Sequence, residues 1–348
     1  MLIQNAKAFI NGKFQEKTDL LIRDGRISAI GTGLAAEGEE LLDLGGDLLL
    51  PGFVDVHIHA FKGMDTMQGE EAVRHMSREL KKVGVAAFLP TTMSASPENT
   101  VRALAGVKAV MERPEPDGAI VLGAHMEAPF LAEAKAGAQL KQYFADPNEE
   151  NWQRYTGGLE SVVRLITMAP ERAGAMEFIS ALTKKGITVS IGHTTADAET
   201  THAAAEAGAT HVTHTFNAQT PLNHRAPGVP GAALVDDRLQ CEVISDGIHL
   251  HPDIVKLIIR TKGKEKLVAI TDAMEAAGMP DGQYQLGGQE VFVHEGAARL
   301  KDGTLAGSTL TMIRAFQNLI RFGATPEEAA LMTTKTPALS IGNEELGE

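Results

Sequence analysis

Cysteine and the larger aromatic residues are scarce in this sequence. Its 348 residues include one cysteine, Cys241, one tryptophan and three tyrosines. A single cysteine excludes an intramolecular disulfide and any zinc site built from several thiolates. Long hydrophobic runs are also missing, since no stretch approaches the roughly 20 apolar residues of a transmembrane helix. The N-terminus lacks the basic and apolar regions of a signal peptide. We therefore expect a cytoplasmic protein that does not enter a membrane.

Positive charge is in deficit. There are 32 lysines and arginines against 45 aspartates and glutamates, which gives a net charge of −13. Such a surface repels phosphate backbones, so a nucleic-acid partner is not expected. The hydrophobic share of 43% and the charged share of 22% are those of an ordinary globular protein, which excludes wholesale disorder.

Residues 1–50 are predicted to form a small β domain, described here as a β-sandwich. Short apolar runs flank Asn11-Gly12 and Asp24-Gly25, and such pairs are strong signals for a hairpin turn. The extreme C-terminus, residues 334–348, is a candidate addition to this domain.

Residues 51–333 alternate between short apolar runs and stretches of helical spacing. Alternation of this kind predicts parallel strands, and eight of them fit a (β/α)₈ barrel, with a doubly wound open sheet as the alternative. A β-hairpin insertion is expected at about 282–303. The predicted strands begin near Pro51, Val85, Ala119, Val162, Ile187, Thr210, Gln240 and Lys266, and predicted helices cover 70–83, 97–113, 171–185, 197–207 and 252–261.

Polar residues mark the end of each predicted strand. In a parallel barrel all carboxyl ends lie on one rim, where active sites form, so residues far apart in sequence are expected to meet. His57 and His59 are two apart on a strand, so their side chains point to the same face. The imidazole and carboxylate groups at these strand ends are His57, His59, Glu127, His193, His214 and Asp272.

This set of nitrogen and oxygen ligands, without a thiolate, predicts a catalytic site for one or two divalent metal ions. From the strand order we expect Glu127 to bridge two ions. One ion would take the ligands from the first and last strands, and the other would take His193 and His214. Zinc is the leading candidate, although the same ligands hold iron, manganese or cobalt.

Several motifs resemble the amidohydrolase superfamily and, within it, the N-acetylglucosamine-6-phosphate deacetylases. The Asn-Ala, His-Arg-x-Pro-Gly and Leu-Ala-Gly-Ser pieces are specific to the deacetylase branch. The first-strand segment Pro51–His59 carries the superfamily signature, and further motifs narrow the resemblance to that branch. These are His125-Met126-Glu127-Ala128-Pro129, Gly192-His193-Thr194, Thr213-His214-Thr215-Phe216-Asn217-Ala218, His224-Arg225-Ala226-Pro227-Gly228, Ser245-Asp246-Gly247-Ile248-His249, Thr271-Asp272-Ala273-Met274 and Leu305-Ala306-Gly307-Ser308.

The resemblance implies metal-dependent hydrolysis of N-acetylglucosamine 6-phosphate to glucosamine 6-phosphate and acetate. It also implies that the protein is a homodimer and that it binds a phosphorylated N-acetyl amino sugar. It also implies roles for matching residues. Metal ligands would be Glu127, His193 and His214, the catalytic acid and base would be Asp272, and substrate would be held by Asn217, Ala218, Arg225, His249, Leu305, Ala306 and Gly307.

The sequence departs from the family pattern at three places. Ala128-Pro129 stands where members usually have Gly-Pro. Gln139 stands where some members have a substrate-binding histidine, and an amide can donate a hydrogen bond but cannot become cationic. The sequence ends at Glu348, before the C-terminal strands that usually complete the small domain, so we expect a truncated sequence or a reduced domain.

Other functions compatible with the same ligands are hydrolysis of the epimeric N-acetylgalactosamine 6-phosphate and hydrolysis of a different amide. A non-catalytic scaffold is the least favoured hypothesis, because such a protein would have lost ligands and all six are present.

Overall fold

A five-stranded sheet occupies the N-terminal segment of the structure, a computed structural model that describes residues 1–35 and 38–347. Its order is β3-β2-β1-β4, with β5 also paired to β1. The two hairpin turns are confirmed, and both residues of Asn11-Gly12 have the positive φ that a tight two-residue turn needs. The strands are β1 (Leu2–Ile10), β2 (Lys13–Arg23), β3 (Arg26–Gly31), β4 (Leu41–Asp43) and β5 (Leu48–Leu49).

Only part of this sheet is antiparallel. Strand β1 pairs antiparallel with β2, and β2 pairs antiparallel with β3, as predicted. Strands β4 and β5 instead run parallel to β1, which the sequence pattern did not predict. The predicted domain limits stay a prediction, and Glu348 of the proposed 334–348 addition lies outside the described residues.

The eight predicted barrel strands are all present. The third is split in two at Leu122-Gly123, where Gly123 has a φ of 146° and bends the chain. A short ribbon, β7 with β8, follows the first barrel strand. The strands in this part of the chain are β6 (Phe53–Ile58), β7 (Ala60–Phe61), β8 (Met64–Asp65), β9 (Val85–Thr92), β10 (Ile120–Val121), β11 (Ala124–Met126), β12 (Val163–Met168), β13 (Thr188–Ile191), β14 (His211–Val212), β15 (Gln240–Ile244) and β16 (Leu267–Ile270).

The parallel sheet closes into a barrel. Pairing runs from β6 through β9, β11, β12, β13, β14 and β15 to β16. The two end strands are joined just beyond β16, where the Asp272 N–H donates to the His57 carbonyl at 2.8 Å. This bond excludes the open doubly wound sheet, and it sets the first and last predicted metal ligands side by side.

Helices cover the outside of the barrel, and their starts follow the predicted signals. Ser96 caps α2 and Asp197 caps α5 through side-chain oxygens. The helix predicted at 171–185 begins only at Ala175, because Gly174 has a left-handed conformation and Glu171 binds Thr194 and Thr195 instead. The helices are α1 (Glu70–Lys81), α2 (Pro97–Glu112), α3 (Glu149–Thr156), α4 (Ala175–Lys184), α5 (Ala198–Ala207), α6 (Gly228–Val235), α7 (Pro252–Lys266), α8 (Met312–Phe322), α9 (Pro326–Thr333) and α10 (Lys335–Ser340).

The predicted hairpin insertion is a three-stranded antiparallel sheet made of β17 (Gly282–Leu286), β18 (Gln289–His294) and β19 (Ala297–Leu300). The side chain of Gln289 donates to the Ala138 carbonyl at 2.6 Å, so this sheet is held against the loop that follows Glu127. It therefore lies beside the rim where the predicted ligands end their strands.

A cavity of about 960 Å³ lies away from that rim, between the N-terminal sheet and the C-terminal helices. Its walls are mainly apolar and include Phe9, Ile22 and Leu339, and none of the predicted metal ligands line it. Among the described residues, no helix is both long and apolar enough to cross a membrane.

Candidate functional site

The six predicted metal ligands converge on the barrel rim, and all six are buried. Each lies at the end of a barrel strand or directly after it, because a parallel barrel brings every carboxyl end to the same side. His57 belongs to β6 and His59 follows it, while Glu127 follows β11, His193 and His214 follow β13 and β14, and Asp272 follows β16.

Glu127 is the centre of the cluster. Its Oε1 lies 3.2 Å from His193 Nε2 and 3.1 Å from His214 Nε2, and its Oε2 lies 3.2 Å from His59 Nε2. His57 Nε2 is 3.4 Å from Glu127 Oε1. Two ligand triads result, His57–His59–Glu127 and Glu127–His193–His214, and within each triad the ligand atoms lie within 4.8 Å of one another. The two triads share one carboxylate, which is the arrangement of a binuclear metal site.

Asp272 completes one side of the cluster. Its Oδ1 lies 3.2 Å from His59 Nε2 and 3.5 Å from His57 Nε2. The carboxylate thus faces the first triad, as the strand order predicted.

The outer nitrogens of two ligand histidines face backbone carbonyls that fix the ring orientation. His193 Nδ1 lies 2.8 Å from the Lys135 carbonyl, and His59 Nδ1 lies 3.3 Å from the Thr91 carbonyl. A proton on each Nδ1 satisfies these acceptors and leaves the lone pair of Nε2 directed at the shared centre. The donor set therefore fits a divalent metal ion.

The backbone at several ligands is strained. His193, His214 and Asp272 have φ values of 46°, 29° and 51°, in the left-handed region that non-glycine residues rarely occupy. Strain of this kind persists where the surrounding structure enforces it, and it is concentrated at functional sites. Each of these residues turns the chain sharply as it leaves the barrel, which directs its side chain inward.

The cluster favours positive charge. Burial lowers the pKa of His57, but the carboxylates of Asp272 and Glu127 outweigh this effect and raise that pKa to about 9. Burial raises the pKa of Glu127, but His57 and the other imidazoles outweigh it and hold the pKa well below its ordinary value. Burial also raises the pKa of Asp272, and His57 and His59 again shift that pKa downward overall. Two ionised carboxylates therefore share this pocket, and a metal cation can replace the protons that the imidazoles carry without it.

A cavity of about 300 Å³ opens directly over the ligands. That size is at the lower end of the range for small-molecule sites. Its walls include five residues from the ligand cluster and six of the residues implied to bind substrate. The five are His59, Glu127, His193, His214 and Asp272, and the six are Gln139, Asn217, Ala218, His249, Leu305 and Gly307.

Two of the substrate-binding candidates are held firmly in the cavity wall. Gln139 donates from Nε2 to Glu127 Oε2, while its Oε1 accepts from the Ser94 N–H at 2.7 Å. His249 Nδ1 lies 2.7 Å from Asp246 Oδ2. Asp246 also accepts from the backbone N–H groups of Ile248 and His249, so it both caps this turn and fixes the imidazole.

Arg225 and Ala306 do not line the cavity. Arg225 is exposed in the loop before α6, where its backbone N–H donates to Asn223 Oδ1. Ala306 is buried, and its N–H donates to the Ala298 carbonyl, so that donor is already used. The neighbouring Ser308 N–H donates to the Asp272 carbonyl, which anchors the 305–307 segment beside the ligand.

Three residues near the site were missed by the sequence reasoning. Lys135 is the only lysine or arginine among the described residues that line the cavity. Asp55 is fully buried, accepts from the Thr271 hydroxyl at 2.6 Å, and has a pKa that burial raises to about 7. Glu242 is fully buried beneath His57. The signal for Glu242 was a lone carboxylate within the apolar strand run 240–244.

His125 lies behind the ligands. Its Nε2 is 2.8 Å from the Thr167 hydroxyl, and its ring centroid is 4.5 Å from that of His57. Burial and then the nearby His57 lower its pKa well below the usual value, so the imidazole is neutral and supports the His57 ring from the side.

The sequence profile of the amidohydrolase family matches residues 48–348, and the chain belongs to this family. Among curated relatives, it is 38% identical over 346 residues to the N-acetylglucosamine-6-phosphate deacetylase of Lysinibacillus sphaericus. That alignment covers 98% of this chain and 88% of the relative. It is also 37% identical over 329 residues to the N-acetylgalactosamine-6-phosphate deacetylase of Escherichia coli O157:H7, with 93% and 85% covered.

Solved structures agree with this assignment. A mutant of the Mycobacterium smegmatis N-acetyl-D-glucosamine-6-phosphate deacetylase, in complex with N-acetyl-D-glucosamine-6-phosphate, superposes with a TM-score of 0.88 at 33% identity. The match covers 99% of this chain and 90% of that chain. The barrel with its extra β-sheets is therefore confirmed as the fold, and membership of the deacetylase branch agrees with the motifs.

Proposed function

We propose that this protein removes the acetyl group of N-acetylglucosamine 6-phosphate by metal-dependent hydrolysis, giving glucosamine 6-phosphate and acetate. The observation that carries the proposal is the pair of buried triads sharing Glu127 beneath a cavity of about 300 Å³. The similarity to a deacetylase solved in complex with this substrate supports the choice of substrate.

Asp272 is the group in the cavity suited to move protons. Its carboxylate faces the first triad and is held ionised by His57 and His59 despite its burial. It accepts a proton from the attacking water and returns it to the leaving amine nitrogen, as amide hydrolysis requires. A divalent ion in the site, when bound, supplies an acidified water and a polarised carbonyl.

The acetamide and sugar ring contact the cavity walls in this proposal. Gln139 and His249 line the cavity and are fixed by Ser94 and Asp246. The 305–307 segment closes the cavity beside Asp272. These contacts position the acetyl carbon near the ligand cluster, and the remaining walls at Asn217 and Ala218 face the far end of the sugar.

The phosphate needs a cation in a protein of net charge −13. Arg225 matches phosphate geometry because its planar fork donates two parallel hydrogen bonds. It is exposed in a loop outside the cavity wall, whereas Lys135 lies in the wall itself. We assign both to the phosphate, with Arg225 reaching it from the loop before α6.

Zinc is the proposed metal, because histidine nitrogens with a carboxylate suit it and no thiolate is involved. Metal analysis of the purified protein tests this assignment. If the purified protein contains iron, manganese or cobalt and no zinc, the assignment of zinc is wrong. The predicted homodimer and the predicted cytoplasmic setting stay predictions.

The epimer N-acetylgalactosamine 6-phosphate is the second candidate substrate, since one relative at 37% identity carries that name. Acetate release is measured from both epimers and from unphosphorylated N-acetylglucosamine. We expect the highest kcat/KM for N-acetylglucosamine 6-phosphate. A higher value for the galactose epimer would reassign the substrate, and no acetate from any of the three by metal-loaded protein would overturn the proposal.

A further inference from the structure

Glu242 is a charged residue in a place that fold stability does not explain. Its side chain is fully buried in the barrel on β15, where its neighbours Cys241 and Val243 are apolar. One carboxylate oxygen, Oε1, has no hydrogen-bond partner. A buried carboxylate with an unpaired oxygen costs stability, so its presence needs a compensating role.

The other oxygen of Glu242 contacts two metal ligands. Oε2 lies 3.1 Å from His57 Nδ1 and accepts from the backbone N–H of His214 at 3.3 Å. His57 directs its other nitrogen, Nε2, at Glu127 and Asp272. For that Nε2 to offer a lone pair, the ring proton must sit on Nδ1, and Glu242 is the acceptor that holds it there.

This contact distinguishes His57 from the other ligand histidines. The Nδ1 atoms of His59 and His193 face neutral backbone carbonyls, and the Nδ1 of His214 has no partner. Among the four ligand histidines, only His57 has a carboxylate at its Nδ1, which makes its imidazole a stronger ligand. The two triads therefore also differ behind the ligands, at the Nδ1 of His57.

We propose that Glu242 is a positioning residue that fixes the His57 imidazole and thereby selectively strengthens metal binding at the His57–His59–Glu127 triad. It does not touch substrate. The inference rests on the proposed metal centre and is independent of which acetylated sugar the enzyme accepts.

Zinc binding to the metal-free protein tests this role. Zn²⁺ is titrated against a competing chelating dye, and bound metal is counted by plasma mass spectrometry, for wild type, Glu242→Gln and Glu242→Leu. Wild type is expected to bind two ions. Glu242→Leu is expected to keep one ion and to bind the other about 10–100-fold more weakly, which is the usual effect of removing such a partner. Glu242→Gln keeps an acceptor for the Nδ1 proton and is expected to recover part of that loss.

Gln240→Leu is the matched control, because Gln240 lies two residues earlier on the same strand but lines the cavity at the other end of the barrel. It should bind both ions as wild type does. Thermal unfolding of the metal-free proteins gives the second readout. Glu242→Leu should melt lower than wild type, since it leaves His57 without its buried carboxylate partner, and Glu242→Gln should recover part of this loss.

The outcomes separate this role from others. Equal affinity for both ions in wild type and Glu242→Leu would overturn it. Equal weakening of both ions in Glu242→Leu would show a structural role and also overturn it. If wild type itself binds fewer than two ions, the selective role fails, and if it binds none, the proposed metal centre fails with it.

Discussion

Glu127 is the residue on which the ligand cluster depends. Its two oxygens lie within 3.4 Å of the Nε2 atoms of His57, His59, His193 and His214. Among the described residues, Glu127 is the carboxylate that belongs to both triads. The chemistry of the site is thus organised by one side chain, and the residues around it act on substrate or on protons.

Replacing Asp272 separates proton transfer from binding. Asp272→Asn keeps the size of the side chain but removes the base, so kcat should fall by about 10²–10⁴-fold, the usual contribution of a general acid–base group. Substrate affinity, measured by calorimetry on the metal-loaded variant, should change little. Bound metal is counted in the same samples. A variant with near-normal kcat would remove Asp272 from this role.

The two proposed phosphate cations can be compared directly. Arg225→Ala and Lys135→Met each remove one positive charge near the cavity, so each should raise KM for N-acetylglucosamine 6-phosphate more than for N-acetylglucosamine. Initial-rate kinetics on both substrates measure this. A variant that raises both KM values equally does not contact the phosphate, and its residue would be dropped from the assignment.

At the scale of elements, the barrel strands approach closely just where the ligands leave them. Gly192, between β13 and His193, is surrounded by the neighbouring strands. A Cβ at this position would lie 2.6 Å from Thr213 Cβ and 2.7 Å from Thr167 Cγ2. The hydroxyls of these threonines are 2.8 Å apart, so both side chains are held in place.

Gly192→Ala should therefore displace His193 as well as strain the barrel. We expect a loss of about 1–3 kcal/mol in the free energy of unfolding, typical of overpacking, and weaker zinc binding. Urea unfolding and zinc titration measure the two effects. Gly282→Ala is the control, because its added Cβ meets nothing closer than 3.5 Å. A Gly192→Ala protein with wild-type stability and zinc affinity would contradict the tight packing.

Asp236 joins the end of α6 to α5 by ionic contacts. It accepts from the Arg238 guanidinium at 2.6 Å and lies 2.8 Å from His202 Nδ1. Hydrogen bonds from Arg238 hold the pKa of Asp236 well below its ordinary value, against the opposing effect of burial. A lowered folded-state pKa stabilises the fold above about pH 4, the value for an unfolded aspartate, and this stabilisation is lost as the pH falls further.

Asp236→Asn should thus destabilise the protein by about 1 kcal/mol at pH 7, since Arg238 is half exposed and solvent weakens the pair. The difference from wild type should persist down to about pH 4 and shrink below it. Urea unfolding of metal-free protein between pH 3 and pH 7 measures it. Asp237→Asn, at an exposed neighbour, should have almost no effect. A difference that grows in acid would contradict the assigned contacts.

At the scale of the whole molecule, bound metal should brace the barrel, because the six ligands come from five different strands. A ligand that binds only the folded protein adds about 2.7 kcal/mol when its concentration is 100 times Kd. Removing the metal with a chelator should therefore lower the melting temperature by several degrees, and zinc should restore it. The control is chelator saturated with zinc. An unchanged melting temperature after verified metal removal would contradict this brace.

The barrel and its ligand set were predictable from sequence because strand order and strand-end polarity are local signals. His57, Glu127 and His214 follow apolar runs, and parallel pairing then brings them together. Glu242 and Lys135 were not predictable in this way. Glu242 lies within a strand, where alternation does not reveal what lies opposite, and Lys135 reaches the cavity through a loop. Arg225 was predicted to bind substrate from a family motif, but its loop places it outside the cavity wall.

The hydrogen bond from the Asp272 N–H to the His57 carbonyl has a consequence for biosynthesis. The seam of the barrel and the junction of the earliest and latest ligands are the same place, so a nascent polypeptide has no working centre until its final barrel strand has emerged from the ribosome and docked. The rate at which deacetylase activity returns after dilution from denaturant should therefore report the rate of barrel closure. A folding intermediate in which the first and last strands have not paired should have no hydrolase activity.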